Sequence, residues 1–390
     1  MPRKKILWLC SWYPDKLAPY NGDFIQRHAA AAMLCNDIYV LHVVGDTSGK
    51  ISRKKQEFNI VAGVTEHIIY YPASTSLVGR LLSHYSWLQL YRYAIRKYIS
   101  EYGEPELVHI HIPYKAGILG GWIKKIYNIP YVITEHWTIY QPQNLVKYEQ
   151  QKPFLRSIIA RAIKGCSLFL PVSNDLGLLI NKLVTEKKFS VIENVANEEY
   201  FYFADNIRKE SPFRFIHVST MTYQKNAEAI IECFCVFFKK YPTTELVIVG
   251  TIPDSILQLV EKTGLMDKNI FLKGEISYVA VANEMQLAHA LVMFSRYENS
   301  PCSIIEALCC GLPVIATNVG GIQELLDKHN GLLIDALDKE ALGSALASMV
   351  NNYSIYDRKR IAEQAKSRFS YPVIGNKLDE VYTSVISNRD

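Results

Sequence analysis

The stretch Glu298-Asn-Ser-Pro-Cys-Ser-Ile-Ile-Glu306-Ala-Leu-Cys-Cys-Gly-Leu-Pro-Val-Ile-Ala-Thr-Asn-Val-Gly-Gly321 decides how this chain folds. Just upstream, Ala290-Leu-Val-Met-Phe294 is a short apolar run of the kind that forms a buried strand. Ser295 to Pro301 then reads as the loop at its carboxyl end, Ser303 to Cys310 as the opening of a helix, and Pro313 to Ala316 as the next buried strand. Strand, loop, helix, strand is the repeating unit of a parallel sheet, and ligands bind such sheets at the carboxyl ends of the strands. There Glu298 falls in the loop and Glu306 on the first turns of the helix. The amides of Cys302 and Ser303 have no intrahelical acceptor and can face an anion, whereas Pro301 has no N–H to donate. Such a site suits a sugar nucleotide. The alternative for the pair is a solvated loop carboxylate and a carboxylate placed favourably near a helix amino end.

Outward from this junction, short apolar runs alternate with amphipathic helical patterns along both halves. Strands are expected at Ile6 to Cys10, Ile38 to Val44, Leu107 to Ile112, Tyr131 to Thr134 and Leu168 to Val172, and again at Phe213 to Val218, Glu245 to Gly250, Ile270 to Lys273, Leu291 to Phe294 and Pro313 to Ala316. The expected fold class is α/β: two Rossmann-like domains, residues 1–195 and 196–370, with a connector from Val195 to Pro212 and the active site in the cleft between them. After Tyr371-Pro372 interrupts the preceding helix, Ile374, Leu378, Val381, Tyr382 and Val385 recur at helical spacing and mark a last helix over 371–390.

A chain of 390 residues exceeds what one hydrophobic core usually serves, and a 49% hydrophobic fraction is ample for two. No apolar run approaches the roughly 20 residues that span a bilayer, and the apolar stretch before Pro14 and Asp15 is too short for a signal sequence. A cytoplasmic protein is expected. The eight cysteines show no metal-like spacing, so buried reduced thiols are expected. Residues 1–195 hold 24 Lys and Arg against 14 Asp and Glu, leaving 19 against 24 for the remainder. The basic half suits an anionic partner: a phosphate-bearing acceptor, or the inner face of the cell membrane with the protein peripherally attached. On the segment Leu81 to Ile99, Trp87, Tyr91, Tyr93 and Tyr98 fall among Arg92, Arg96 and Lys97; with Lys50, Arg53, Lys54 and Lys55 they could rest on an anionic membrane, or the aromatics could pack on the first sheet. Nucleic acid is not an expected partner.

The two-glutamate segment, taken with the strand pattern over nearly the whole chain, resembles the retaining glycosyltransferases of family 4. That resemblance implies the GT-B architecture, a last helix that crosses back onto the first domain, and transfer of a sugar from a nucleotide diphosphate donor. It implies that Glu306 binds the ribose hydroxyls and that Glu298 contacts the donor sugar near its anomeric carbon. Lys225, in Ser219-Thr-Met-Thr-Tyr-Gln-Lys-Asn226 after a strand, resembles the family's phosphate-binding lysine, but Thr220 stands where the family usually has an arginine. A threonine brings one hydrogen bond and no charge. The segment from Lys273 to Ile276 is similar to the loop beside the base.

Gly22, before an alanine-rich helix, matches the family's first glycine loop, where a backbone without Cβ can approach a diphosphate. His136, in Glu135-His136-Trp137-Thr138, matches its active-site histidine, and Asn194 its hinge-proximal asparagine, here in Glu-Asn-Val in place of Pro-Asn-Gly. His109 and His111 share one face of a strand, and no third ligand at metal spacing supports zinc. With no Asp-x-Asp pair to hold a divalent ion, no metal and no other cofactor is expected; the nucleotide sugar is a co-substrate. The expected function is retaining, metal-independent glycosyl transfer to a glycan or lipid-linked acceptor, in surface polysaccharide or lipopolysaccharide synthesis. The alternatives are a non-catalytic nucleotide-sugar-binding scaffold or another GT-B enzyme such as a nucleotide-sugar epimerase.

Overall fold

The computed structural model describes residues 3–205 and 212–388. Residues 206–211 of the expected connector lie outside them. The first domain is a seven-stranded sheet in the order β3-β4-β2-β1-β5-β6-β7. Its strands are β1 (Lys5–Cys10), β2 (Asp37–Asp46), β3 (Lys55–Val61), β4 (Val64–Pro72), β5 (Leu107–His111), β6 (Tyr131–Glu135) and β7 (Leu168–Pro171). All neighbours are parallel except the β3–β4 hairpin at the edge. Helices α1 (Asp23–Met33), α2 (Leu77–Tyr102), α3 (Pro113–Tyr127), α4 (Pro153–Gly165) and α5 (Asn174–Leu183) connect and cover them.

The second domain is an all-parallel sheet in the order β10-β9-β8-β11-β12-β13. Its strands are β8 (Phe213–Val218), β9 (Thr244–Val249), β10 (Ile270–Gly274), β11 (Ala290–Met293), β12 (Val314–Thr317) and β13 (Gly331–Ile334). Its helices are α6 (Ala227–Phe238), α7 (Asp254–Thr263), α8 (Tyr278–Gln286), α9 (Cys302–Cys309), α10 (Lys339–Asn351) and α11 (Arg358–Phe369). Both sheets are Rossmann-like, and in each the chain reverses its direction of travel across the sheet beside the first strand, β1 or β8. That places the carboxyl ends of both sets of strands at the cleft.

The last helix, α12 (Tyr371–Ser387), leaves the second domain and packs on α1. Ile374, Leu378, Val381, Tyr382 and Val385 enter the same apolar cluster as Ile25, Ala29 and Ala32. The approach is close: a Cβ on Gly375 would lie 2.3 Å from the Ala31 carbonyl oxygen. Tyr382 reaches the sheet itself, 2.7 Å from His109 Nδ1, while His109 Nε2 meets Thr134 Oγ1 at 2.7 Å. His109 is thus a buried structural histidine.

Three strands escape the sequence pattern. β3 and β13 are short edge strands with exposed positions, and β4 follows β3 through the tight turn at Ala62-Gly63. Lys55 therefore begins an edge strand and pairs with Glu57 at 2.8 Å. Of the four aromatics the sequence pattern singled out on α2, Trp87, Tyr91 and Tyr98 are buried against the sheet, as in the packing alternative, and Tyr93 is exposed. Of the eight free cysteines, Cys35, Cys235 and Cys302 are half-buried.

Candidate functional site

The loop after β11 is built from below. Gly320 has φ +52°, and a Cβ there would lie 1.8 Å from the Glu298 carbonyl oxygen; a Cβ on Gly321 would lie 2.0 Å from that of Asn299. Only glycine lets the 320–321 turn pass this close. Thr317 Oγ1 donates to the Ser295 carbonyl at 2.7 Å and ties the loop's start to β12. The backbone is thereby fixed with Glu298, Asn299 and Ser300 all buried.

Glu298 is 3% exposed, and both its oxygens are occupied. Lys225 Nζ donates to Oε1 at 2.5 Å and Gln224 Nε2 to Oε2 at 3.0 Å. The loop after β8 that carries them is sewn to the 298 loop by Arg296, whose backbone N–H donates to the Gln224 carbonyl at 2.8 Å and whose guanidinium donates to the Tyr223 carbonyl and Asn226 Oδ1 at 3.1 and 2.7 Å. Lys225 is therefore not a free phosphate ligand waiting on the surface; its ammonium is held by the second catalytic candidate. Thr220 is exposed and, among the described residues, forms no hydrogen bond with any other candidate.

Eight residues on, Glu306 is buried in α9 and accepts from the Tyr278 hydroxyl at 3.0 Å. Burial raises its carboxyl above the usual range, and the guanidinium of Arg27, 3.7 Å away across the cleft, opposes that rise. Helix α9 begins after Pro301 with no side-chain cap, so the Cys302 and Ser303 amides open it without an intrahelical acceptor. Burial pushes the Cys302 thiol up to about 12, which keeps it a neutral packing group.

On the opposite wall, Gly22 precedes α1 with φ +75°, and a Cβ there would lie 2.8 Å from the backbone carbon of Trp12. His136 follows β6, 8% exposed, with Phe24 at 4.6 Å, His28 at 5.4 Å and His111 at 5.9 Å between ring centroids. Among the described residues, neither His136 ring nitrogen meets a partner in hydrogen-bonding geometry. Burial, then His28 and His109, push its pKa well down, with the Asn194 side chain opposing, so the ring is neutral and can accept or donate one proton. Its backbone is anchored from below by Glu135, whose Oε1 accepts from the His136 and Trp137 amides at 2.8 and 2.9 Å and whose Oε2 accepts from the Tyr140 hydroxyl at 2.9 Å.

The two walls meet at these residues. Asn194 Nδ2 donates to the Ser300 carbonyl at 2.6 Å, and Asn299 Nδ2 donates to the His136 carbonyl at 2.9 Å. Gln141 Nε2 donates to Asn299 Oδ1 at 3.0 Å, and Glu324 accepts from the Asn174 and Asp175 amides at 2.8 Å each. His136, Asn194, Lys225 and Glu298 thus belong to one chain of contacts, with Cys302, Ser303 and Glu306 on the helix that continues it. Sequence reasoning missed Arg27, Tyr278, Asn299 and Gln141. Arg27 had one signal: it stands a helical turn after Asp23, on the face that follows the glycine loop. Nothing local marks the others.

Two family models divide the chain: "Glycosyltransferase Family 4" matches residues 37–200 and "Glycosyl transferases group 1" matches residues 199–368. TuaC of Bacillus subtilis, named as a teichuronic acid biosynthesis glycosyltransferase, is 26% identical over 88% of this chain and 88% of its own. Among solved structures, sucrose-phosphate synthase from Thermosynechococcus elongatus superposes with a TM-score of 0.77 at 18% identity, covering 98% of this chain and 100% of that one. Anabaena HepE in complex with UDP and glucose does so with a TM-score of 0.74 at 16% identity, over 97% and 100%.

Proposed function

Because this chain belongs to the GT-B glycosyltransferases, we propose that it moves a sugar from a nucleoside diphosphate sugar, with retention of anomeric configuration and without a metal, to a glycan or lipid-linked acceptor of surface polysaccharide or lipopolysaccharide synthesis. One observation carries this reading: two buried carboxylates flank the uncapped start of α9, and Lys225 is held beside it by Glu298. Departure of a nucleoside diphosphate leaves negative charge on the phosphate and positive charge on the sugar. An ammonium and two helix-end amides answer the first. Glu298 answers the second, and its bonds to Lys225 and Gln224 hold it in place without reorganising. Glu306 and the Tyr278 hydroxyl form an acceptor–donor pair suited to ribose hydroxyls. The neutral, unpartnered ring of His136 suits a sugar or acceptor hydroxyl.

The acceptor reading draws on another part of the molecule. Because β4 runs parallel to β1, the amino end of α2 emerges at the carboxyl edge of the first sheet, the edge that faces the cleft. There Leu77, Val78, Leu81, Leu82 and Tyr85 are all exposed, beside Arg80, and about two turns beyond Tyr85 Lys54 lies 4.8 Å over the ring of Tyr93. An apolar end with cations around it suits the surface of an anionic membrane, where a lipid-linked acceptor resides. No described helix is long and apolar enough to cross a membrane.

The test is calorimetry of the purified protein with UDP-, GDP- and ADP-sugars, with and without EDTA, followed by NMR of the anomeric configuration in the product. Tight EDTA-insensitive binding of one nucleotide series and a product with the donor's anomeric configuration are expected. Inversion, or strict dependence on a divalent ion, overturns the mechanism. Exposed Thr220 and the sequestered Lys225 favour one second reading, a nucleotide-sugar-binding scaffold: binding without transfer or donor hydrolysis to any acceptor would select it, and an epimerised free sugar would select the epimerase.

A further inference from the structure

Arg27 is a cation of the first domain that reaches across the cleft to residues of the second. It projects from α1, five residues after Gly22, with a side chain only 12% exposed. Its Nη1 donates to Asp23 Oδ2 at 3.0 Å and lies 3.7 Å from Glu306 Oε1, outside hydrogen-bonding range. The guanidinium carbon sits 4.8 Å over the Tyr278 ring, the same tyrosine that donates to Glu306. Its Nε is buried with no partner among the described residues. The Cys302 thiol at the start of α9 is close enough to be influenced by its charge.

A structural arginine normally spends its donors. This one is buried, offers a planar fork toward the uncapped start of α9, and leaves part of that fork unspent, a costly arrangement unless a ligand takes it up. The second domain meanwhile has exposed Thr220, a neutral residue, after β8 and has its lysine bound to Glu298. We propose that Arg27 is a donor-binding residue supplied from the opposite domain: its guanidinium holds the diphosphate of the nucleotide sugar. This rests on the nucleotide-sugar reading above. Ribose hydroxyls on Glu306 displace the long Arg27–Glu306 contact, and the freed fork turns to phosphate oxygens. Donor binding thereby draws the first domain onto the second.

The test is calorimetry of nucleosides and nucleoside diphosphates (uridine and UDP, guanosine and GDP, adenosine and ADP) on the parent, Arg27→Gln, Arg27→Lys and Lys225→Ala, each checked for an unchanged melting transition. Arg27→Gln is expected to weaken the diphosphate roughly 10- to 100-fold, the range for a charged hydrogen-bond pair. The matching nucleoside should bind as well or better, because Glu306 is relieved of a competitor, and Arg27→Lys should recover part of the loss. Equal weakening of nucleoside and diphosphate marks a packing role and overturns the proposal. So does an unchanged diphosphate affinity in Arg27→Gln when Lys225→Ala has lost it, an outcome that leaves the donor site itself standing. A folded parent that binds no nucleoside diphosphate removes both.

Discussion

The 295–303 loop and the amino end of α2 both lie at carboxyl edges facing the cleft, yet they are built in opposite ways. The loop has almost no exposed side chain, its carboxylate is occupied on both oxygens, and its backbone is braced by Gly320 and Gly321 and tied across the cleft to His136 and Asn194. The α2 end has five large apolar residues in solvent, and its cap is a single bond from Gly79 N to Ser76 Oγ at 3.2 Å. The first is a site pre-organised for one small polar ligand, where reorganisation during reaction would cost rate. The second resembles a contact surface, adaptable and apolar. On the proposed function, the difference separates how each substrate class would be read: the donor by fixed polar geometry, an acceptor or membrane by area.

The comparison breaks most sharply at Lys225. Lys225→Ala removes the cation from Glu298 and from the phosphate side at once, and kcat is expected to fall roughly 10²- to 10³-fold, the cost of one preorganised electrostatic contact. A turnover assay with the donor found by calorimetry checks it. A loss below about threefold would show that the Glu298–Lys225 pair is structural.

The next effect tests whether the bracing matters. Gly320→Ala puts a Cβ where only 1.8 Å separates it from the Glu298 carbonyl oxygen. Either the 298 loop or the 320 turn must shift, at about 2 to 4 kcal/mol. Denaturant unfolding should show the loss, and donor affinity should fall with it. The same substitution at Gly49, φ +81° but with nothing within 4 Å, should cost far less.

Much of this contrast was legible in the sequence for a physical reason. Most buried parallel strands announce themselves as apolar runs, and a carboxylate just past one of them points to a cleft, so ten of the thirteen described strands and the candidates Glu298, Glu306, Lys225 and His136 stand out; buried β4 does not, because Thr65, Glu66 and His67 break its apolar run. Edge strands β3 and β13 are half-exposed and lack that signal. Residues that act across the cleft are invisible for another reason: Arg27 meets Tyr278, and Asn299 meets His136, only because two domains dock, and no local pattern encodes docking. The aromatics of α2 show a third case, a pattern with two open readings. Trp87, Tyr91 and Tyr98 have the spacing of either a core face or a membrane face, and only the sheet beneath them decides.

A smaller effect probes the anchoring of His136. Burial raises the Glu135 carboxyl from 4.5 to about 7. The folded protein therefore holds a proton that the unfolded chain releases between about pH 4.5 and 7, and stability from this group is full below that window and falls as pH rises through it. The span corresponds to about 3 kcal/mol. Glu135→Gln keeps an acceptor for the His136 and Trp137 amides without titrating. Its stability relative to the parent should rise across that window in unfolding curves at pH 4.5 to 8; parallel curves would mean that the carboxyl ionises in the fold at no cost.

The smallest effect on the fold is expected at the α2 end, which is what makes it diagnostic. Leu81 and Leu82 are 71% and 61% exposed, so Leu81→Ser with Leu82→Ser removes almost no buried surface and should move stability by no more than about 0.5 kcal/mol. If that end beds into a membrane, the same two side chains each contribute up to about 1.5 kcal/mol of transfer energy there, and co-sedimentation with anionic vesicles should fall at least about tenfold. Zwitterionic vesicles should bind the parent weakly, because Arg80 and Lys54 then find no opposite charge. Equal sedimentation of parent and variant on anionic vesicles would assign the attraction to the net basic first domain alone, and the exposed leucines would then have to be explained by the acceptor.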